Sequence, residues 1–101
     1  ADSVVTFDQG ETSDAQIKGF TIIGGKSTNG GGIKILNSSP SITGNWIYNN
    51  TSMNKGGGIY ISNGSPSIKH NTIVDNYTSS SGGGIMVEGA DSRSTIIYGN
   101  N

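Results

Sequence analysis

Residues 56–76 read Gly-Gly-Gly-Ile-Tyr-Ile-Ser-Asn-Gly-Ser-Pro-Ser-Ile-Lys-His-Asn-Thr-Ile-Val-Asp-Asn. Most of this stretch occurs again elsewhere in the chain. Gly-Gly-Gly-Ile also stands at Gly30–Ile33 and Gly82–Ile85, so Ile33, Ile59 and Ile85 are spaced by 26 residues each. Ser65-Pro66-Ser67-Ile68 repeats Ser39-Pro40-Ser41-Ile42, and Asn71-Thr72-Ile73-Val74-Asp75-Asn76 repeats Asn45-Trp46-Ile47-Tyr48-Asn49-Asn50, both again 26 apart. Three anchors in one register identify a repeat, and a repeat of this length points to a solenoid or array.

The unit extends upstream without its glycines. Ile17 and Ile22 precede Ile42 and Ile47 by 25 residues, and Val5-Thr6-Phe7 takes the place of Ile33-Lys34-Ile35, with a longer connection through Asp8–Asp14. Downstream, Gly82–Glu88 opens a further unit. Ile97-Tyr98-Gly99-Asn100 resembles Ile47-Tyr48-Asn49-Asn50 but stands two residues early. The count is about four units, the last one imperfect.

Each unit holds three short stretches of alternating apolar residues, rich in β-branched types, which read as strands. Gly, Asn, Ser and Pro between them supply the turns. No helical period appears, and glycine triplets oppose a helix. A unit of 25–26 residues with three strands and three turns is one coil of an all-β parallel β-helix. One coil cannot bury its own inward residues, but stacked coils can. The inward columns are then Val5/Ile33/Ile59/Ile85, Phe7/Ile35/Ile61/Val87, Ile17/Ile42/Ile68 and Ile22/Ile47/Ile73. The outward columns are Thr6/Lys34/Tyr60/Met86, Lys18/Thr43/Lys69, Thr21/Trp46/Thr72 and Ile23/Tyr48/Val74. Asn45 with Asn71, and Asn50 with Asn76, fall at bends. Asparagine carries both donors and an acceptor and tolerates left-handed backbone, so both pairs are expected to form ladders.

Composition agrees. Hydrophobic residues make up 31% and charged residues 13% of the 101, with 17 glycines filling much of the deficit. A net charge of −1 provides no basic footprint for nucleic acid or an anionic membrane. No apolar run approaches the ~18–20 residues of a membrane-spanning helix, and the opening residues lack the basic-then-apolar run of a signal peptide. The absence of cysteine excludes disulfides and thiolate metal sites.

Gly56–Ile61, Ser65–Ile68 and Asn71–Asn76, with Val4–Phe7 and Gly19–Ile22 as an early coil, resemble the right-handed parallel β-helix repeats of the pectin-lyase-like superfamily. The resemblance covers nearly the whole chain. It implies an extracellular or cell-surface setting and a range of roles: polysaccharide lyases and hydrolases, tailspikes, adhesins and modules without assigned activity. Fold does not choose among them. Members usually carry more coils and covered ends. Residues 1–101 are therefore expected to be one β-helix segment, part of a longer protein or covered at its ends by partners.

Lyases of this fold hold Ca²⁺ with acids and take a proton with a base, and hydrolases cluster aspartates. Here no outward column gathers acids with a base. Asp8, Glu11 and Asp14 share one connection and are the residues that could meet around Ca²⁺, although a solvated loop is the better reading of them. Glu88 and Asp91 near Arg93 read as a surface turn. His70, the only histidine, stands beside the Asn71 bend without a carboxylate or nucleophile in register. Lys18 and Lys69 share a column with Thr43 between them. No catalytic residue is assigned, and the chain alone is expected not to cleave acidic polysaccharides. The aromatics remain. Trp46 and Tyr48 should point outward from one strand, Tyr60 outward from the next coil, and Tyr98 should extend the Tyr48 column. Exposed Trp and Tyr rings can stack on sugar faces. The expected function is a non-catalytic rigid scaffold or polysaccharide-contacting segment. The alternatives are a fragment of a polysaccharide lyase or glycoside hydrolase, and a module that self-associates through its coil ends.

Overall fold

The computed structural model describes residues 2–89 and the strand Ile96–Tyr98. The described part is all-β, with no helix. Four first strands, β1 (Val5–Phe7), β5 (Ile33–Leu36), β9 (Ile59–Ser62) and β13 (Ile85–Glu88), stack in that order in one parallel sheet. The second sheet stacks β2 (Gln16–Lys18), β6 (Ser41–Thr43), β10 (Ser67–Lys69) and β14 (Ile96–Tyr98). The third stacks β3 (Thr21–Ile23), β7 (Trp46–Tyr48) and β11 (Thr72–Val74). These are the three strands of each coil. The connection back to the next first strand adds a short paired segment, β4 (Lys26–Asn29), β8 (Thr51–Lys55) and β12 (Tyr77–Thr78).

The expected columns are the observed register. Val5 pairs with Ile33, Ile33 with Ile59 and Ile59 with Ile85. Ile17, Ile42 and Ile68 pair in sequence, as do Ile22, Ile47 and Ile73. Ile33, Ile35, Ile42, Ile47, Ile59, Ile61 and Ile68 are all fully buried. Burial weakens in the outermost described strands: Val5, Ile17 and Ile85 are partly buried, and Val87 is exposed. Phe7 and Ile22 are buried even in the first coil.

One expectation is corrected. Tyr98 does not extend the Tyr48 column: Ile97 pairs with Ile68 and Tyr98 with Lys69, which makes β14 a second strand. Ile97 follows Ile68 by 29 residues, three more than the repeat, so the extra residues lie in the connection after Glu88. That connection, with Asp91 and Arg93, lies outside the described residues, as does Asn100.

The bends are built from left-handed residues. Gly19, Gly44 and His70 (φ 75°, 67° and 57°) occupy one corner in successive coils. Gly24, Asn49 and Asp75 (φ 79°, 54° and 52°) occupy the next. Beside each corner runs an asparagine ladder. Asn45 Nδ2 donates to Asn71 Oδ1 at 3.0 Å and to the Ile17 carbonyl at 3.0 Å, while its Oδ1 accepts from the Phe20 amide at 2.9 Å. Asn50 Nδ2 donates to Asn76 Oδ1 at 3.0 Å and to the Ile22 carbonyl at 2.9 Å, and its Oδ1 accepts from the Gly25 amide at 2.9 Å. Asn45, Asn50 and Asn71 are almost wholly buried. These bonds satisfy backbone groups that the strands release at the corners, and an unmade buried bond would cost about 1–3 kcal/mol.

Candidate functional site

The third sheet carries the candidate site. Asn45-Trp46-Ile47-Tyr48-Asn49-Asn50 alternates, and the alternation sends Ile47 inward with full burial while Trp46 and Tyr48 face out. Both ends of β7 are held by the two ladders, so the rings stand on a fixed strand. Trp46 is 57% exposed and Tyr48 half-buried. Their ring centroids lie 6.1 Å apart with the planes at 79°, an edge-to-face pair. The register places Thr21 and Thr72 on either side of Trp46, and Ile23 and Val74 on either side of Tyr48. Ile23 and Val74 are themselves exposed. The result is an apolar platform three strands wide, with an indole N–H, a phenol and threonine hydroxyls as its polar groups. Sequence reading placed Ile23 and Val74 outward but did not recognise them as extending the aromatic surface.

Tyr60 sits differently. Its strand position is outward, between Lys34 and Met86 in register, yet it is only 7% exposed. Its hydroxyl donates to Glu88 Oε2, and Lys55 Nζ lies 2.8 Å from Glu88 Oε1. Glu88, one coil on, and Lys55 thus form a hydrogen-bonded cluster at the hydroxyl end of the ring. Tyr60 therefore offers no open face comparable with that of Trp46. Hydrogen bonding from Lys55 and then from Tyr60 holds the Glu88 carboxyl below its ordinary range. The hydrogen bond to Glu88 and its charge raise Lys55. Burial, then the bond to Glu88, raises Tyr60. Each group is thereby fixed in its neutral-pH form: carboxylate, ammonium and phenol. None is poised to take a proton, and the cluster acts as a clamp between coils.

The clamp sets a pH dependence. Glu88 is depressed in the folded state, so its contribution is present above the unfolded carboxylate value of 4.5 and fades as pH falls through the lower folded value. Lys55 and Tyr60 are raised, so theirs is present below about 10 and fades as pH rises through the raised values. Thermal midpoints of the Glu88→Gln variant should therefore lie below the unsubstituted chain's from about pH 5 to 9 and converge with it at low pH. A constant gap down to pH 2 would show that the ion pair is not the cause.

The remaining sequence candidates do not assemble. Asp8 Oδ1 accepts from Gln9 Nε2 at 3.0 Å, and Glu11 Oε1 accepts from the Gln9 amide at 3.0 Å and Ser38 Oγ at 3.1 Å. Among the described residues no three His, Cys, Asp or Glu gather as a metal site, so Asp8, Glu11 and Asp14 do not converge on a Ca²⁺ position. His70 is exposed at a corner where the other coils have glycine. Lys18 and Lys69 lie on the outer column of the second sheet with Thr43 between them.

Residues 5–101 match a family model described as a right handed beta helix region. No curated protein and no solved structure matches the chain.

Proposed function

The chain belongs to the right-handed β-helix family, and on that premise we propose that it is a non-catalytic, extracellular or surface scaffold segment that contacts polysaccharide through the Trp46–Tyr48 platform. The supporting observation is the exposure of Trp46 on a strand pinned at both ends, beside Tyr48 and flanked by Ile23 and Val74. Such a surface suits the apolar face of a pyranose ring, with hydroxyls left for the threonines and the ring tips. Preformed aromatic contacts lose little side-chain freedom on binding. No charged residue stands in the two outer columns of this sheet, which favours neutral polymers.

Trp46 is the only tryptophan, so its fluorescence reports directly on the platform. Titration with soluble neutral glucans, xylans or mannans should shift its emission. Trp46→Ala should weaken retention of the chain in affinity electrophoresis about tenfold, equivalent to ~1.4 kcal/mol, without lowering the thermal midpoint. Unchanged emission and mobility across a panel of neutral and acidic polymers would sink the proposal.

A further inference from the structure

β7 carries two outward side chains. It runs Trp46–Tyr48, with Ile47 turned into the core. Left-handed backbone at Gly44 and at Asn49 (φ 67° and 54°) bends the chain away at either end. The row along this strand therefore holds Trp46 and Tyr48 and stops. Among the described residues the columns across the sheet add no further ring. Thr21 and Thr72 flank Trp46, and Ile23 and Val74 flank Tyr48, each roughly 4.8 Å away on the neighbouring strand. Two other exposed rings stand elsewhere. Phe20 lines a hollow with the inward-column residues Val5, Ile17 and Ile22. Tyr77 lies on β12, past the corner at Asp75, in the column of Thr51.

The two rings do not make a flat floor. Their planes stand at 79° with centroids 6.1 Å apart, so a flat partner can lie along the indole or along the phenol but not along both. Trp46 is 57% exposed, while Tyr48 is half-buried between two branched aliphatic neighbours in register. The indole is thus the more open ring, and Tyr48 bounds it on the side toward Asn49. An ordered polysaccharide solid holds its sugars locked in one plane, and such a surface rewards several coplanar rings. Here it would meet one ring face, and one stacking contact is small against the cost of association. A sugar of a free chain can turn into the angle between the rings. It then meets the indole face, the side of Tyr48 and a hydroxyl of Thr21 or Thr72 together. Resting on the polysaccharide reading above, we infer that the site receives one pyranose unit of a free chain, stacked on Trp46 and bounded by Tyr48, and does not adsorb to the flat face of an ordered polysaccharide.

The test presents glucan, xylan and mannan each as oligomers from disaccharide to hexasaccharide, as swollen amorphous solid and as crystalline solid. Titration followed by Trp46 emission should give an affinity that rises no more than about threefold from disaccharide to hexasaccharide, the statistical gain from offering one site more equivalent rings. A second aromatic contact along the chain would instead add roughly tenfold. Depletion of the protein from solution should be at least about tenfold greater on the swollen form than on the crystalline form at equal accessible surface, and Trp46→Ala should lose that excess. A tenfold or greater rise in affinity with chain length, or equal depletion by the crystalline form, would overturn the single-ring inference and leave contact with polysaccharide standing. Unchanged emission with every oligomer, together with no depletion by any solid, would overturn the polysaccharide reading itself and this inference with it.

Discussion

Gly57→Ala should lower the stability of the chain by about 3 kcal/mol, at the upper end of the usual overpacking cost. The methyl carbon would sit 2.5 Å from the Gly83 oxygen and 2.7 Å from the Tyr77 oxygen. Both are backbone atoms and neither can turn away as a side-chain tip would. Gly83 is held through the Gly58 amide bond to its carbonyl at 3.1 Å, and Tyr77 through its own amide bond to the Asn50 carbonyl at 2.9 Å. Relief requires lifting one coil from the next, which breaks the hydrogen bonds that define the stack. For a domain of this size a loss of ~3 kcal/mol corresponds to a fall of about 12–24 °C in the thermal midpoint. Gly83→Ala is the control. It is the same substitution in the same motif one coil later, with the nearest described neighbour at 3.6 Å. Its effect on the dilute chain should stay within ~0.5 kcal/mol, or be a small gain from the lost glycine entropy. Equal melting of the two variants would show that the coils are not in close contact at the triplets.

The contrast between those two glycines was invisible in the sequence, although the triplets themselves were the strongest signal in it. Recurrence reports what is shared among coils, and the 26-residue spacing of Ile33, Ile59 and Ile85 was enough to set every inward column. What differs among coils has to come from neighbours. Tyr60 stands at an outward position by alternation, yet it is buried and its hydroxyl binds Glu88, 28 residues later. Alternation assigns a face and not its exposure. Ile97-Tyr98 resembles Ile47-Tyr48 in composition, but three extra residues before it place it beside Lys69. A short motif without a second anchor could not fix that register. The β4, β8 and β12 segments read as turn because their inward residues, including the buried Ser27 and Ser52, are small and polar. Their only signal was the 25-residue interval between those serines. The Trp46–Tyr48 platform was legible because its strand alternates cleanly and lies between two ladder asparagines. Its apolar flanks, Ile23 and Val74, belong to other coils and became part of the surface only through the register.

Ile59→Ala should cost about 2–5 kcal/mol, the range for removing a large aliphatic side chain from a packed interior. Ile59 is fully buried and lies between Ile33 and Ile85 in register. Both of those neighbours are fixed by their own backbone pairing, so the stack has little freedom to close the cavity. Val87→Ala provides the comparison. Val87 occupies an inward column but is 36% exposed, with Ile61 as its paired neighbour. Its cost should fall below about 1 kcal/mol, because little apolar area leaves water when it packs. In a solenoid, stability is approximately a sum of coil terms and nearest-neighbour interfaces. Ile59 contributes to two interfaces and Val87 to one. Urea unfolding should therefore show a large fall in the midpoint for Ile59→Ala. A drop in slope would add that weakening the central interfaces lets the two halves of the stack unfold separately. A loss below about 1 kcal/mol for Ile59→Ala would mean that the column is not packed as described. A cost for Val87→Ala equal to that of Ile59→Ala would mean that another coil already covers the last strand in solution.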